Sequence, residues 1–274
     1  MTRQASSEGG WETAGRPPHP ALRPFLRRGY VGYHELRPPP RRREVAYDAI
    51  VMVINLGSPI GVDAWGPGGS FVAGLHDRAS VTAHGPGQLG IQVDLEPVGA
   101  ALLLGVPMGE LARQIVALEE LVPAELIERL RDAADWETRF AVLDGFLLGR
   151  LRDAAAPPRP DVAFAWSRLH QSHGAIGIAA LCAELGCSRR HLAGRFAHDV
   201  GLSPKAVARV LRFRRVIELL HAGGTIGPAR LGDVAAAAGY YDQPHLNREF
   251  RELAGVTPGA YLAARLPGLG GVSA

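Results

Sequence analysis

The chain has 274 residues, 47% hydrophobic and 21% charged, with a formal net charge of +3. That length holds two domains with a core in each, and no run of about 18 or more apolar residues is present to cross a membrane. Its two cysteines, Cys182 and Cys187, cannot build a disulfide framework or a four-ligand zinc site, and so sparse a use of cysteine points to the reducing cytoplasm.

The first twenty residues, MTRQASSEGGWETAGRPPHP, lack the apolar core of a signal peptide. They are expected as an unstructured leader, and residues 21–153 as the first domain. The Pro-rich segment Arg37 to Arg43 is expected as a loop inside that domain. Short runs rich in Val and Ile, or alternating, follow at Ile50 to Leu56, Ser70 to His76, Ala79 to His84 and Leu89 to Leu95, separated by Gly-, Pro- or Asp-containing turns. After Pro97 the period changes to 3.6: VGAALLLG, PMGELARQIVALEEL, PAELIERLRDAA and DWETRFAVLDGFLLGRLRDA predict helices, the last capped by Asp135. The prolines of AAAPPRP make residues 154–160 a linker.

Residues 161–266 predict an all-helical second domain, followed by a tail at 267–274. Helices are expected at Val162 to Ser172 and at Ile178 to Leu185, the latter stopped by Gly186. Ser188 caps a third that ends near Gly201. Ser203-Pro204 starts a fourth that runs to His221, about 28 Å long at 1.5 Å per residue. After the loop AGGTIGP come a fifth at Leu231 to Ala238, a sixth capped by Asp242, and a short seventh opened by Thr257-Pro258. The whole chain is thus of the α+β class: a β-rich domain with helices, then a seven-helix domain.

The second domain repeats itself. HLAGRFAHDVGLSP begins at His191 and HLNREFRELAGVTP at His245. Each has Phe five residues after the His, Gly ten after it and Ser/Thr-Pro after twelve. Each follows a short apolar helix that ends in Gly, which is the sequence form of a helix-turn-helix. From Arg159 onward there are 14 Lys+Arg against 8 Asp+Glu, and before it 16 against 19. A basic half joined to a mildly acidic one suits a nucleic-acid module attached to a non-binding partner.

Leu192 and Phe196, like Leu246 and Phe250, lie four apart on one helical face and are read as core. The opposite face presents Arg189, Arg190, Ala193 and Gly194 in the first copy, and Gln243, His245, Asn247, Arg248 and Arg251 in the second. In a major groove Arg reads guanine and Asn or Gln reads adenine, so the second copy is the better equipped for bases. His191 and His245 are read as packed or phosphate-contacting residues. Arg209, Arg212, Arg214 and Arg215 make the connecting helix basic, with some toward phosphate and some toward Glu218. Successive major grooves lie about 34 Å apart on one face of DNA, the scale that this helix spans.

These residues resemble the DNA-binding domain of AraC/XylS-type transcription factors, the resemblance being carried by SRRHLAGRFAHDVGLSP, by RFRRVIELL and by DVAAAAGYYDQPHLNREFRELAGVTPGAY. It implies a bacterial, sequence-specific transcription regulator whose seven helices carry two motifs for tandem major grooves of double-stranded DNA. Arg190, Ala193 and Gly194, and Gln243, His245, Asn247 and Arg248, stand where that family reads bases. Ala193 and Gly194 are smaller than the commoner residues there. The first domain is similar, around FVAGLHDR and GAALLLGVPMGEL, to sensory domains of such regulators. A cupin-like β-barrel that takes a small-molecule effector or mediates a homodimer is what that likeness implies, with RNA polymerase as a partner of an activator. No cofactor and no catalysis are implied.

The competing reading is a metal-dependent, cupin-like enzyme fused to a DNA-binding module, with His34, His76, His84, Asp77 and Glu96 as candidate ligands. The spacing is loose and no H-x-H occurs. A fusion with a DNA-alkylation repair enzyme needs a reactive Cys in the enzyme domain, and both cysteines lie inside the first helix-turn-helix.

Overall fold

Along Ile50–Asn55 apolar residues occupy both faces, while along Gln88–Leu95 apolar Leu89, Ile91, Val93 and Leu95 alternate with Gln88, Gly90, Gln92 and Asp94, and both strands suit the middle of a sheet covered on each side. The computed structural model, which describes residues 1–5, 10–38, 41–63, 66–154, 159–222, 230–264 and 272–273, places them there. In chain order the first half forms β1 (Thr2–Ala5), β2 (Trp11–Arg16), β3 (Tyr30–Glu35), β4 (Arg41–Glu44), β5 (Ile50–Asn55), β6 (Ile60–Val62), β7 (Gly66–Gly68), β8 (Phe71–Ala73), β9 (Ser80–His84) and β10 (Gln88–Leu95). Then come α1 (Pro97–Leu104), β11 (Ile115–Ala117), α2 (Ala124–Asp132) and α3 (Trp136–Asp153). The second half is α4 (Pro160–Gln171), α5 (Ile178–Leu185), α6 (Arg189–Val200), α7 (Pro204–Ala222), α8 (Arg230–Ala237), α9 (Gln243–Ala254) and α10 (Pro258–Ala263), with β12 (Val272–Ser273) last.

Two antiparallel sheets face each other. One has seven strands in the order β1-β2-β3-β10-β5-β8-β11, the other five in the order β12-β4-β9-β6-β7. β12 pairs with β4 through Val272↔Arg43 and Ser273↔Arg42. The far end of the chain thus covers an edge of the first half's sheet, and a covered edge no longer offers unpaired backbone groups.

Three expectations are corrected. Of the expected leader, residues 6–9 lie outside the described residues, and the described ones are not unstructured: β1 pairs with β2 and β2 with β3. The anchors are polar, which hid them: Trp136 Nε1 donates to Glu12 (3.0 Å), and Arg16 pairs with Glu137 and Asp144 of α3. Residues 107–121 are not a helix but turns, β11 and a 3-10 segment. There Arg113 takes positive φ, and β-branched Ile115 and Val116 pair with β8. Of the Pro-rich segment, Pro39 and Pro40 lie outside the described residues, and Arg41–Glu44 is strand rather than loop. Most of the 154–160 linker and of the AGGTIGP loop also lies outside the described residues.

The largest apolar cluster does not stop between the halves. It runs from Ile50, Met52 and Ile91 through Leu103 and Met108 to Leu192, Phe196 and Val200. A second cluster joins Ala46 and Val272 to Phe213, Leu246, Phe250 and Leu253. Gly201 marks a close approach of backbone to backbone: φ is +98°, and a Cβ there would lie 2.8 Å from the Met108 carbonyl oxygen.

Candidate nucleic-acid interface and a cavity between the sheets

Each helix-turn-helix is built by the same local devices. α5 stops at Gly186 and α8 is followed by Gly239, both at positive φ (62° and 78°), the region that only Gly enters without cost. Ser188 then caps α6 by accepting from His191 N–H (3.2 Å), and Asp242 caps α9 by accepting from His245 N–H (2.7 Å). Leu192, Phe196 and Val200 are buried beneath α6, and Leu246, Phe250 and Leu253 beneath α9. Phe213 of α7 meets Phe250 edge-on at 5.0 Å.

The opposite faces hold the sequence-predicted residues. Arg189, Arg190 and Gly194 are exposed and Ala193 is half-buried. A Cβ at Gly194 would meet nothing within 4 Å, so a flat approach to the backbone is open there. On α9, Arg248 and Arg251 are exposed, and Gln243, His245 and Asn247 are half-buried. His245 lies edge-on to Tyr240 at 5.2 Å and 3.8 Å from Glu249, a packed position.

The arginines separate into two groups. Among the described residues no carboxylate pairs with Arg189, Arg190, Arg248 or Arg251. On α7 all four are engaged: Arg209 with Glu249 (2.9 Å) and Glu252, Arg212 with Gly174 O (3.0 Å) and Glu249 (3.6 Å), Arg214 with Asp48 (3.7 Å), and Arg215 with Glu218 (3.1 Å). The connecting helix therefore commits its arginines to architecture. Arg195, at the edge of α6, is likewise held by Asp161 (2.7 Å).

Sequence reasoning reads Tyr240-Tyr241 as a matter of packing only and gives Tyr241 no part in the interface. It stands immediately before the cap of α9 and is 93% exposed, the most exposed of the large hydrophobic residues described. Its signal was a second aromatic beside Tyr240 where one suffices for the core.

Sequence reasoning also missed a cavity of about 410 Å³ between the two sheets. Inward positions of β3, β4, β9 and β10 supply Tyr33, Glu35, Arg42, Glu44, Thr82, His84, Gln88 and Gln92, and β5, β6 and β8 supply an apolar wall. Glu35 and Arg42 form a buried ion pair. Burial pushes the Glu44 carboxyl up, against the pull of Arg42. Burial and then Arg42 push the His84 imidazole down to about 4, and Thr82 Oγ1 lies 2.7 Å from its Nε2. Period-2 alternation was visible, but a charged residue at an inward position reads like one on a solvated face.

The residues weighed as metal ligands are engaged separately. His76 Nδ1 contacts Gly74 O (2.6 Å), Asp77 pairs with Arg113 (2.7 Å), and Glu96 binds Arg27 (2.8 Å) and accepts from Trp166 Nε1 (3.1 Å). Among the described residues no three of His, Cys, Asp and Glu are grouped to hold a metal ion, and no helix is long and apolar enough to cross a membrane.

A family profile described as a helix-turn-helix domain matches residues 181–264. No curated protein matches the chain. Among solved structures, ToxT from Vibrio cholerae is similar at 12% identity over 93% of this chain and 98% of its own, with a TM-score of 0.49. The C-terminal domain of AraT, a response regulator from Geobacillus stearothermophilus, is similar at 22% identity over 40% of this chain and 90% of its own, with a TM-score of 0.35. The AraC-like transcriptional activator CuxR is similar at 15% identity over 81% and 86%, with a TM-score of 0.31. At those scores these likenesses carry no functional weight. Residues 181–264 thus match a helix-turn-helix domain, in keeping with the two motifs built by α5–α6 and α8–α9.

Proposed function

We propose that this DNA-binding transcription regulator reads two successive major grooves with α6 and α9, under control of a small molecule held between its sheets. The observation that carries the reading is the division of the arginines. Among the described residues Arg189, Arg190, Arg248 and Arg251 have no acidic partner on the two outward helix faces, while the α7 arginines are engaged by acidic partners. Unpaired, exposed guanidinium groups on a groove-sized helix are suited to guanine edges and phosphates.

In this reading Arg190, Gln243, Asn247 and Arg248 contact bases. Arg189, Arg251, His245 and Tyr241 border them toward the backbone, and Ala193 and Gly194 let the first helix come close. The caps of α6 and α9 aim helix N-termini at phosphate. Residues 161–266 form the reading unit, and the preceding half is the sensor, its cavity within the range that small ligands occupy. Homodimerisation through the sensor, contact with RNA polymerase and a cytoplasmic location belong to the same proposal.

The test is genomic footprinting of the purified protein. Two protected patches one helical turn apart, asymmetric in sequence, are the expected result. Binding that falls steeply with salt but shows no sequence preference defeats the assignment of bases to these side chains.

A further inference from the structure

The cavity and the second recognition helix share a wall. Along residues 42–48 the side chains divide between two sides: Arg42, Glu44 and Tyr47 line the cavity. Ala46, between them, is sealed into the apolar cluster of Phe213, Phe250 and Leu253. Its N–H donates to the Leu253 carbonyl in the last turn of α9 (3.0 Å). Val45 touches both sides, as cavity lining and as neighbour of that cluster. The Arg43 guanidinium lies beside Gly255, so close that a Cβ at 255 would sit 2.7 Å from Nη1. A second connection comes from α7, where Arg214 lines the cavity, stacks over the Tyr47 ring at 4.6 Å and faces Asp48.

The first motif is fastened elsewhere. Among the described residues none from α5 or α6 lines the cavity. α6 docks instead on the turn after α1, where Gly109 N–H donates to His198 O (2.9 Å) and Gly201 presses on Met108. That seam is continuous with the large apolar cluster through Phe196 and Val200. Close-packed interiors pass displacements on to whatever they touch and shield what they do not.

We infer that the cavity controls the second motif selectively: an occupant that displaces the wall at residues 42–48 moves α9 and leaves α6 where the shared core holds it. The inference rests on reading the cavity as the effector site, but its mechanical content does not need the effector. A two-motif reader regulated in this way keeps one hand on the DNA and changes only the grip of the other.

A side chain built into the cavity serves as the probe. Ala73→Phe and Ser80→Leu each place bulk in the hollow from a lining position, on opposite sheets, so one misfolded variant leaves the other available. Circular dichroism and a cooperative melt qualify the variants. Amide hydrogen exchange on the full chain is then compared with the wild type. The expected result is an exchange change of at least fivefold in the C-terminal turn of α9, around Leu253 to Gly255, with α6 amides within twofold. Adding Arg214→Gln to Ala73→Phe is expected to reduce the α9 response by half or more. An unchanged α9, or equal changes in α6 and α9, overturns the inference. Because no DNA is present, either result is separate from success or failure of the base-reading assignment. Failure of the cavity as an effector site shows differently, as α9 responding to filling while no effector alters binding at footprinted sites.

Discussion

Arg209 reaches from α7 to Glu249 on the second recognition helix, Nε to Oε1 at 2.9 Å, onto a carboxylate only 7% exposed. The same guanidinium also holds Glu252, and Arg212 adds a second cation 3.6 Å from Glu249. The pairing places α9 by charge as well as by the Phe213–Phe250 contact. Replacing Arg209 by Ala leaves a nearly buried carboxylate short of a partner. Its loss is expected to cost about 1–3 kcal/mol, less than for a fully buried pair because Arg209 is partly solvated. Urea unfolding measures this, and Arg209→Lys is expected to recover only part of it, because an ammonium cannot fork to two carboxylates.

Asn247→Ala and Arg248→Ala are each expected to weaken binding at a footprinted site by about 1–3 kcal/mol and to relax preference at one base position. Fluorescence anisotropy against a panel of single-base variants reads both effects. Unchanged affinity and unchanged preference in both mutants reject the outward face of α9 as the reader. Arg251→Ala, placed toward phosphate, is expected to weaken all sites alike and to lower the salt slope by about one.

Tyr241 is 93% exposed beside the cap of α9, so its loss removes no packing. Tyr241→Ala is expected to leave the unfolding free energy within about 0.5 kcal/mol of wild type while reducing DNA affinity severalfold. Thermal melts and anisotropy together separate this from a structural role: a large drop in melting temperature counts against it.

His170 sits at the seam between the halves, with Arg27 beside it and Trp166 packed on it at 4.4 Å. Burial first, then the Arg27 charge, hold its imidazole down to about 4, below its ordinary value near 6.5. Between those two values the unfolded chain binds the proton and the folded chain does not. The stability contribution is therefore complete above about pH 6.5 and declines as pH falls toward 4. The window corresponds to about 3 kcal/mol. His170→Asn is expected to flatten the slope of unfolding free energy against pH in that range. A slope identical to wild type shows that the seam does not sense this proton.

Gly201→Ala forces a Cβ to within 2.8 Å of the Met108 carbonyl oxygen at a φ of +98°. The expected cost is about 1–3 kcal/mol, from strain and from prying α6 off its support. A calorimetric scan checks it. Gly194→Ala, open on all sides, is the control and is expected to be neutral or slightly stabilising.

The reading half of the fold was legible because its signals are local. Ser188, Gly186, Asp242 and the Ser/Thr-Pro pairs specify helix ends through their own backbone geometry, and Leu192–Phe196 and Leu246–Phe250 specify the buried faces by spacing alone. The first half was legible only where strands are apolar or alternate cleanly. β1, β2 and β4 carry Arg, Glu, Gln and Thr whose partners, such as Asp144 for Arg16 and Glu35 for Arg42, come from other elements. No local pattern marks such a residue as paired. The same limit applies to the interface: which arginines face outward could be read from spacing, and the Arg215–Glu218 pair is local to α7, but the other pairings depended on Glu249 and Asp48 arriving from other elements.

The unbroken interior between Leu103 and Met108 on one side and Phe196 and Val200 on the other bears on how such a protein can be taken apart. A regulator whose halves met through water could trade sensors freely. Here, severing the reader would strip oily side chains of their cover, so an excised fragment is expected to clump unless its seam is rewritten with polar residues. Exchange of sensors among such proteins would then have to carry the docking surface along with the pocket.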